Sequence, residues 1–231
     1  TFYLGNCQPS EIRIKSGGVM NIESGEAKNQ TTLFQCRAAS KITVQAGGIL
    51  KLTGGKSTLH MTKGTQLILE EGATLIVEDG SSLIIDPKST VWLGKNVTLQ
   101  LNGTNALMHV KGHLMLEENC NFQITSAPNQ AVGLLKLSNM SGGFGNCYIT
   151  GDGHATFKIR GNDANASTNL QIEGPIDFNN LFDTILVNRS NVKFGNNSQW
   201  RVSGIVQINN SEFAPTDWSK MAQNGLHMSG G

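Results

Sequence analysis

Reactive side chains fall into a few short groupings in this chain. Carboxylates are paired at Glu70/Glu71, Glu78/Asp79 and Glu117/Glu118. Cleaving a glycosidic bond needs two carboxyls across one groove, about 5–9 Å apart, one of them desolvated. Neighbouring residues on a strand point to opposite faces, so each pair splits. The pairs also adjoin glycine or asparagine corners, where a carboxylate stays solvated. Asp152 and His154, with Lys158 and Arg160 close behind, supply an acid, an imidazole and two cations. They are the strongest catalytic grouping, but no aligned aspartate pair completes it. His109 and His113 stand four apart, which on a helix would suit zinc, yet Lys111 and Gly112 form a corner between them. Gly142-Gly143-Phe144-Gly145 opens no helix, so it is not a phosphate loop. No catalytic residue, cofactor or metal ligand is expected.

The elements that would position any site are strands. From Leu59 the chain reads in eights: LHMTKGTQ, LILEEGAT, LIVEDGSS, LIIDPKST, VWLGKNVT, LQLNGTNA. Each unit opens on an apolar–x–apolar triplet and closes on turn-forming residues. Alternation with period two marks strands, because a helix would need apolar residues three and four apart. Gly64, Gly72 and Gly80 mark successive corners, Asn96 and Gly112 keep the beat, and Lys88 and Thr104 take it without glycine. A strand of about four residues cannot enclose a core alone and must stack on copies of itself. The fold class expected is all-β, a right-handed parallel β-helix of about 22–27 residues per three-sided coil.

Larger echoes support three sides. Ile12 to Ile22 matches Ile42 to Leu52, each with a strand, a Gly-Gly corner and a second strand. Equivalent strands then start at Ile42, Leu67, Val91 and Leu114. Cys7 is echoed by Cys36, and the Asn119-Cys120 segment by Asn146-Cys147. Like side chains stack on successive coils about 4.8 Å apart, so Cys7/Cys36 and Cys120/Cys147 are candidate disulfides of an exported chain. Residues 1–231 read as one β-helix segment, regular over 1–126 and looser over 127–231, where loops leave the corners and asparagine replaces glycine. Residues 216–224 are the one helical candidate. Leu226-His227-Met228-Ser229-Gly230-Gly231 repeats the form of Ile12 to Gly18, so the coil is expected to continue in a longer protein.

Composition narrows the partners. Charged residues are 15% with a net charge of +1, so no basic face for nucleic acid is expected. No apolar run approaches the roughly 18 residues of a membrane span. Asn-x-Ser/Thr triplets occur at eight places, Asn96 and Asn102 among them; they have the form of glycan acceptors, and a corner composition rich in all three residues also produces them by chance. The middle residue of each triplet should face out. Those residues are Ile68, Ile76, Ile84 and Trp92, followed by Met108 and Met115. The first four form a candidate contact surface with Trp92 as a stacking platform, although a triangular coil distributes them over three faces.

Segments such as EEGATLIVEDGSSLIID and QAGGILKLTGG resemble the β-helical regions of large secreted bacterial surface proteins. These include adhesin-like cargo of Bacteroidota type IX secretion and, more distantly, autotransporter passengers. The resemblance spans nearly the whole chain, and its motif is the coil itself. It implies a secreted or cell-surface protein with a structural or adhesive role. The partners implied are other parts of the same longer chain, a surface or secretion-machinery protein, or a glycan. The alternative is a polysaccharide-acting β-helix enzyme, a lyase or glycoside hydrolase. Asp152, His154, Lys158 and Arg160 loosely resemble the site of pectin-degrading β-helix hydrolases, with the basic pair reversed and too close to the histidine.

Overall fold

The computed structural model describes residues 1–25, 31–117, 121–128, 130, 133–138, 148–151, 155–160, 167–173, 182–188, 190–194, 199–209, 212–215 and 225–228. Side-chain surroundings are described within 1–117 and at 124–128, 130, 133–137 and 206–207. Every element described is a β-strand. The first coil is β1 (Phe2–Leu4), β2 (Glu11–Ile14) and β3 (Val19–Glu23). The second is β4 (Thr32–Cys36), β5 (Lys41–Val44) and β6 (Ile49–Thr53); the third is β7 (Ser57–Met61), β8 (Gln66–Leu69) and β9 (Thr74–Val77). The fourth is β10 (Ser82–Ile85), β11 (Thr90–Leu93) and β12 (Thr98–Leu101); the fifth is β13 (Leu107–Val110), β14 (His113–Leu116) and β15 (Asn121–Thr125). The sixth is β16 (Leu134–Ser138), β17 (Tyr148–Gly151) and β18 (Ala155–Arg160). Beyond it lie β19 (Ser167–Glu173), β20 (Phe182–Asn188), β21 (Ser190–Phe194), β22 (Gln199–Asn209), β23 (Glu212–Pro215) and β24 (Gly225–Met228).

The strands stack into three parallel sheets, which makes the molecule a parallel β-helix. The first sheet joins β1, β4, β7, β10, β13, β16, β19, β21 and β23. The second joins β2, β5, β8, β11, β14 and β17. The third runs from β3 through β6, β9, β12, β15, β18, β20 and β22 to β24. The intervals read from the sequence hold in the regular coils: Ile42 pairs with Leu67, Leu67 with Val91, and Val91 with Leu114. Ile12 likewise pairs with Ile42 and Val19 with Ile49.

Alternation produces the core. Leu67, Leu69, Leu75, Val77, Leu83, Ile85, Val91 and Leu93 are all fully buried. Each stacks on its equivalents above and below, and each such burial is worth about 1.5–3 kcal/mol. From Gly64 to Gly103 each corner closes with one left-handed residue, whereas Ala38-Ala39 and Gly54-Gly55 use two. Gly64, Gly72 and Gly80 have φ of +83°, +68° and +75°, and Lys88 and Asn96 take the same conformation at +67° and +54°. At the next corner Gly103 adopts it at φ +92°, one residue ahead of the Thr104 position. The corner after β12 holds an extra residue, where the Asn105 N–H donates to Asp79 Oδ1 at 2.9 Å. This shifts the phase of β13, so Met108 is fully buried and pairs with Leu83 and Leu135 instead of facing out.

Three further expectations change. Cys36 stacks on Leu4 and Met61, not on Cys7. Its side chain fills the core while Cys7 is exposed, and both thiols are free. Cys120 and Cys147 lie outside the described residues, but their neighbours do not stack as the 27-residue echo required. Asn121 opens β15 of the third sheet, whereas Tyr148 opens β17 of the second and pairs with His113. The longer connection between β16 and β17 breaks the equivalence. At the other end β24 pairs with β22 in the third sheet, so it is not the counterpart of β2 and β5 that its sequence suggests. The helical candidate 216–224 lies outside the described residues.

Candidate functional site

The carboxylates of the regular coils hold corners in place. Glu78 pairs with Lys51 at 3.1 Å and accepts a hydrogen bond from Asn102 Nδ2 at 3.2 Å. Asn102 is 3% exposed, and its Oδ1 accepts the Ala127 N–H at 2.7 Å. With both ends of the amide engaged and buried, this sequon has no nitrogen to offer a glycan. Glu117 accepts the Lys95 N–H at 3.1 Å. Asp152 and His154 lie outside the described residues. Lys158 and Arg160 are on β18, with no side-chain surroundings described. His109 belongs to the first sheet and His113 to the second, so the two imidazoles serve different faces. Among the described residues no group of three His, Cys, Asp or Glu side chains could hold a metal ion.

The four outward apolar residues divide among the sheets. Ile84 on β10 sits between His60 and His109 in its column. That column is polar: Gln35 Nε2 lies 3.2 Å from His60 Nδ1, His60 Nε2 lies 2.8 Å from Asp86, and Lys111 approaches Asp86 at 4.0 Å. Ile76 on β9 sits between Lys51 and Gln100. Neither isoleucine belongs to an apolar patch.

Ile68 and Trp92 do meet. They are paired residues of β8 and β11 in the second sheet, and Trp92 pairs onward with Met115 of β14. Beside this apolar column runs a hydrogen-bonding one, Gln66, Thr90 and His113, in the same strands and register. The period-two alternation places both columns outward, with Leu67, Leu69, Val91, Leu93, Leu114 and Leu116 beneath them in the core. Together the columns line a concavity of about 570 Å³, with Glu70 at one rim. Burial lowers the pKa of His113, so its ring is neutral at pH 7. Met115 is 38% exposed, and Ile68 and Trp92 are partly exposed.

Toward β2 the apolar column ends in an ionic cluster. Glu11 pairs with Arg13 at 2.9 Å and with Lys41 at 3.5 Å. The hydrogen bond from Arg13 and the two nearby cations hold the Glu11 carboxyl below the usual carboxylate range. Thr43, which stacks directly on Ile68, is buried beneath and donates to Glu11 at 3.4 Å. The ionic cluster thus follows the apolar column toward β2 but lies outside the residues that line the concavity, among which Glu70 is the one carboxylate.

Sequence reasoning reached Ile68, Trp92 and Met115, weighed His113 only as a zinc ligand, and missed Gln66 and Thr90. The signal was available: each stands two residues before its apolar partner, and only the coil count was needed to line them up. No family model, no curated protein and no solved structure matches this chain.

Proposed function

We propose that this chain is an extracellular structural and adhesive β-helix segment of a large secreted or cell-surface protein, and that the outer face of its second sheet is the contact surface. The observation that carries this reading is the clustering of Ile68, Trp92 and Met115 on one face, while Glu78 and Glu117 are spent on corners and Glu70 is the one carboxylate lining the concavity. A groove built for bond cleavage needs ionisable groups converging on the scissile atom. This one offers an aromatic platform and neutral hydrogen-bonding groups, which suit holding. The three-sided parallel coil agrees with the fold that the resemblance to secreted surface proteins implies, and the contact role follows that resemblance.

The test is retention on immobilised polysaccharides and cell-envelope proteins, comparing the native chain with Trp92→Ala and Ile84→Ala. Retention of the native chain and of Ile84→Ala on at least one material, with loss of Trp92→Ala, is expected. No retention at all, or equal retention of all three, would overturn the reading. In parallel, incubation with polyuronates, with and without calcium, should release no unsaturated product absorbing in the near ultraviolet. Such release would favour the enzyme reading and direct mutagenesis to Asp152, His154, Lys158 and Arg160.

A further inference from the structure

We infer that the concavity on the second sheet binds a short run of a flat, neutral, equatorially linked polysaccharide, two to three sugars long, lying along the stacking axis. The inference rests on the contact role proposed above and names its ligand. Three features select a sugar over other occupants.

The first is the pairing of columns. A pyranose ring presents C–H groups on its faces and hydroxyls at its rim. Ile68, Trp92 and Met115 offer a surface for the former, and Gln66, Thr90 and His113 run beside them within reach of the latter. Both columns advance by one strand spacing, about 4.8 Å, along the stacking axis, a step on the scale of one sugar ring. Successive sugars would therefore meet successive, equivalent pairs: Ile68 with Gln66, Trp92 with Thr90, Met115 with His113.

The second is size. Among the described residues, the six strands of this sheet, four residues each, make a face about 29 Å by 13 Å, less than half the roughly 800 Å² per partner of a standard protein interface. Its apolar part covers only three of those strands. The adjoining faces carry the polar columns around Ile76 and Ile84, which cannot extend it. A second copy or a globular partner would bury too little here, whereas about 570 Å³ falls within the range of small-ligand sites.

The third is charge. Arg13, Lys41 and Glu11 pair with one another outside the set of residues that line the concavity. Within the concavity, Glu70 at the rim is the charged carboxylate, and it would repel an acidic sugar. The face thus favours neutral over uronic units.

The experiment uses the full chain with its methionines labelled at the methyl carbon. Met115 is assigned by Met115→Leu. Cellotriose, chitotriose and, as the acidic comparison, trigalacturonate are titrated in turn. The Met115 methyl resonance should shift saturably with cellotriose or chitotriose, and trigalacturonate should bind at least tenfold more weakly. Trp92→Ala should weaken the neutral sugar at least tenfold, while Trp92→Phe stays within about threefold of the native chain. Absence of a saturable Met115 shift with either neutral trisaccharide would overturn the inference. So would binding indifferent to Trp92→Ala, or tighter binding of trigalacturonate. Should Trp92→Ala fail to fold, the Met115 shift in the native chain decides. Failure of both trisaccharides alongside Trp92-dependent retention on an immobilised protein would refute the sugar and leave the contact face standing. Failure of both measurements would remove both readings.

Discussion

Two corners with the same backbone shape should respond very differently to the same methyl group. Gly64 and Gly80 both hold left-handed conformations, at φ +83° and +75°. A Cβ at Gly64 would meet open space. A Cβ at Gly80 would fall on the carbonyl oxygen of Gly55 in the preceding coil and lie 3.1 Å from that carbonyl carbon. For Gly64→Ala the left-handed conformation costs about 1–2 kcal/mol, offset by about 0.4–1 kcal/mol from the stiffer unfolded chain. The net loss is of order 1 kcal/mol. Gly80→Ala carries the same cost plus the displacement of a neighbouring backbone corner, which as overpacking adds about 1–3 kcal/mol. Urea unfolding followed by far-ultraviolet circular dichroism measures both against the native chain. Gly80→Ala should lower the midpoint by two to four times as much as Gly64→Ala, at unchanged slope. Equal losses would refute the claim that successive corners sit in direct backbone contact, and with it the tight stacking on which the shared faces depend.

Two further predictions concern titrating groups. Burial pushes the Cys36 thiol up to about 12, so Cys7 should alkylate in the native chain while Cys36 stays protected until unfolding, as peptide mapping would show. Because the raised pKa belongs to the folded state, the stability tied to Cys36 is complete below pH 9 and lost as pH rises from about 9 toward 12; Cys36→Ala should flatten that part of the pH profile. His113 has the opposite sense: its folded pKa lies below 6.5 through burial, so its contribution is present above pH 6.5 and falls as acid protonates the unfolded chain first. His113→Gln should remove that acid dependence of the urea midpoint, and an unaltered profile would mean the ring is not desolvated.

The eight-residue beat by itself determined the strands, the corners and the inward residues of the regular coils. Period-two alternation and the steric demand for a left-handed residue at the corners from Gly64 to Gly103 are local, so they are written in adjacent residues. Leu67, Leu75, Leu83, Val91 and Leu99 are buried where the pattern puts them, and even Lys88 turns the corner that its place in the beat assigns. Tertiary structure alone decided which outward residues meet. Ile68, Ile76, Ile84 and Trp92 look alike in the sequence, yet only Ile68 and Trp92 share a face, because a three-sided coil brings together every third strand. That assignment depends on counting residues around whole coils, and each corner can alter the count. One extra residue after β12 turned Met108 inward. The longer connection between β16 and β17 leaves Asn121 and Tyr148 opening strands of different sheets. Cys36 found Leu4 and Met61 as its neighbours for the same reason. Corner lengths carry no hydrophobic signal of their own, since their residues are chosen for turning and solvation. The strand starts at Leu67, Val91 and Leu114 already align the columns, but that they line one concavity is visible only once the coils are stacked.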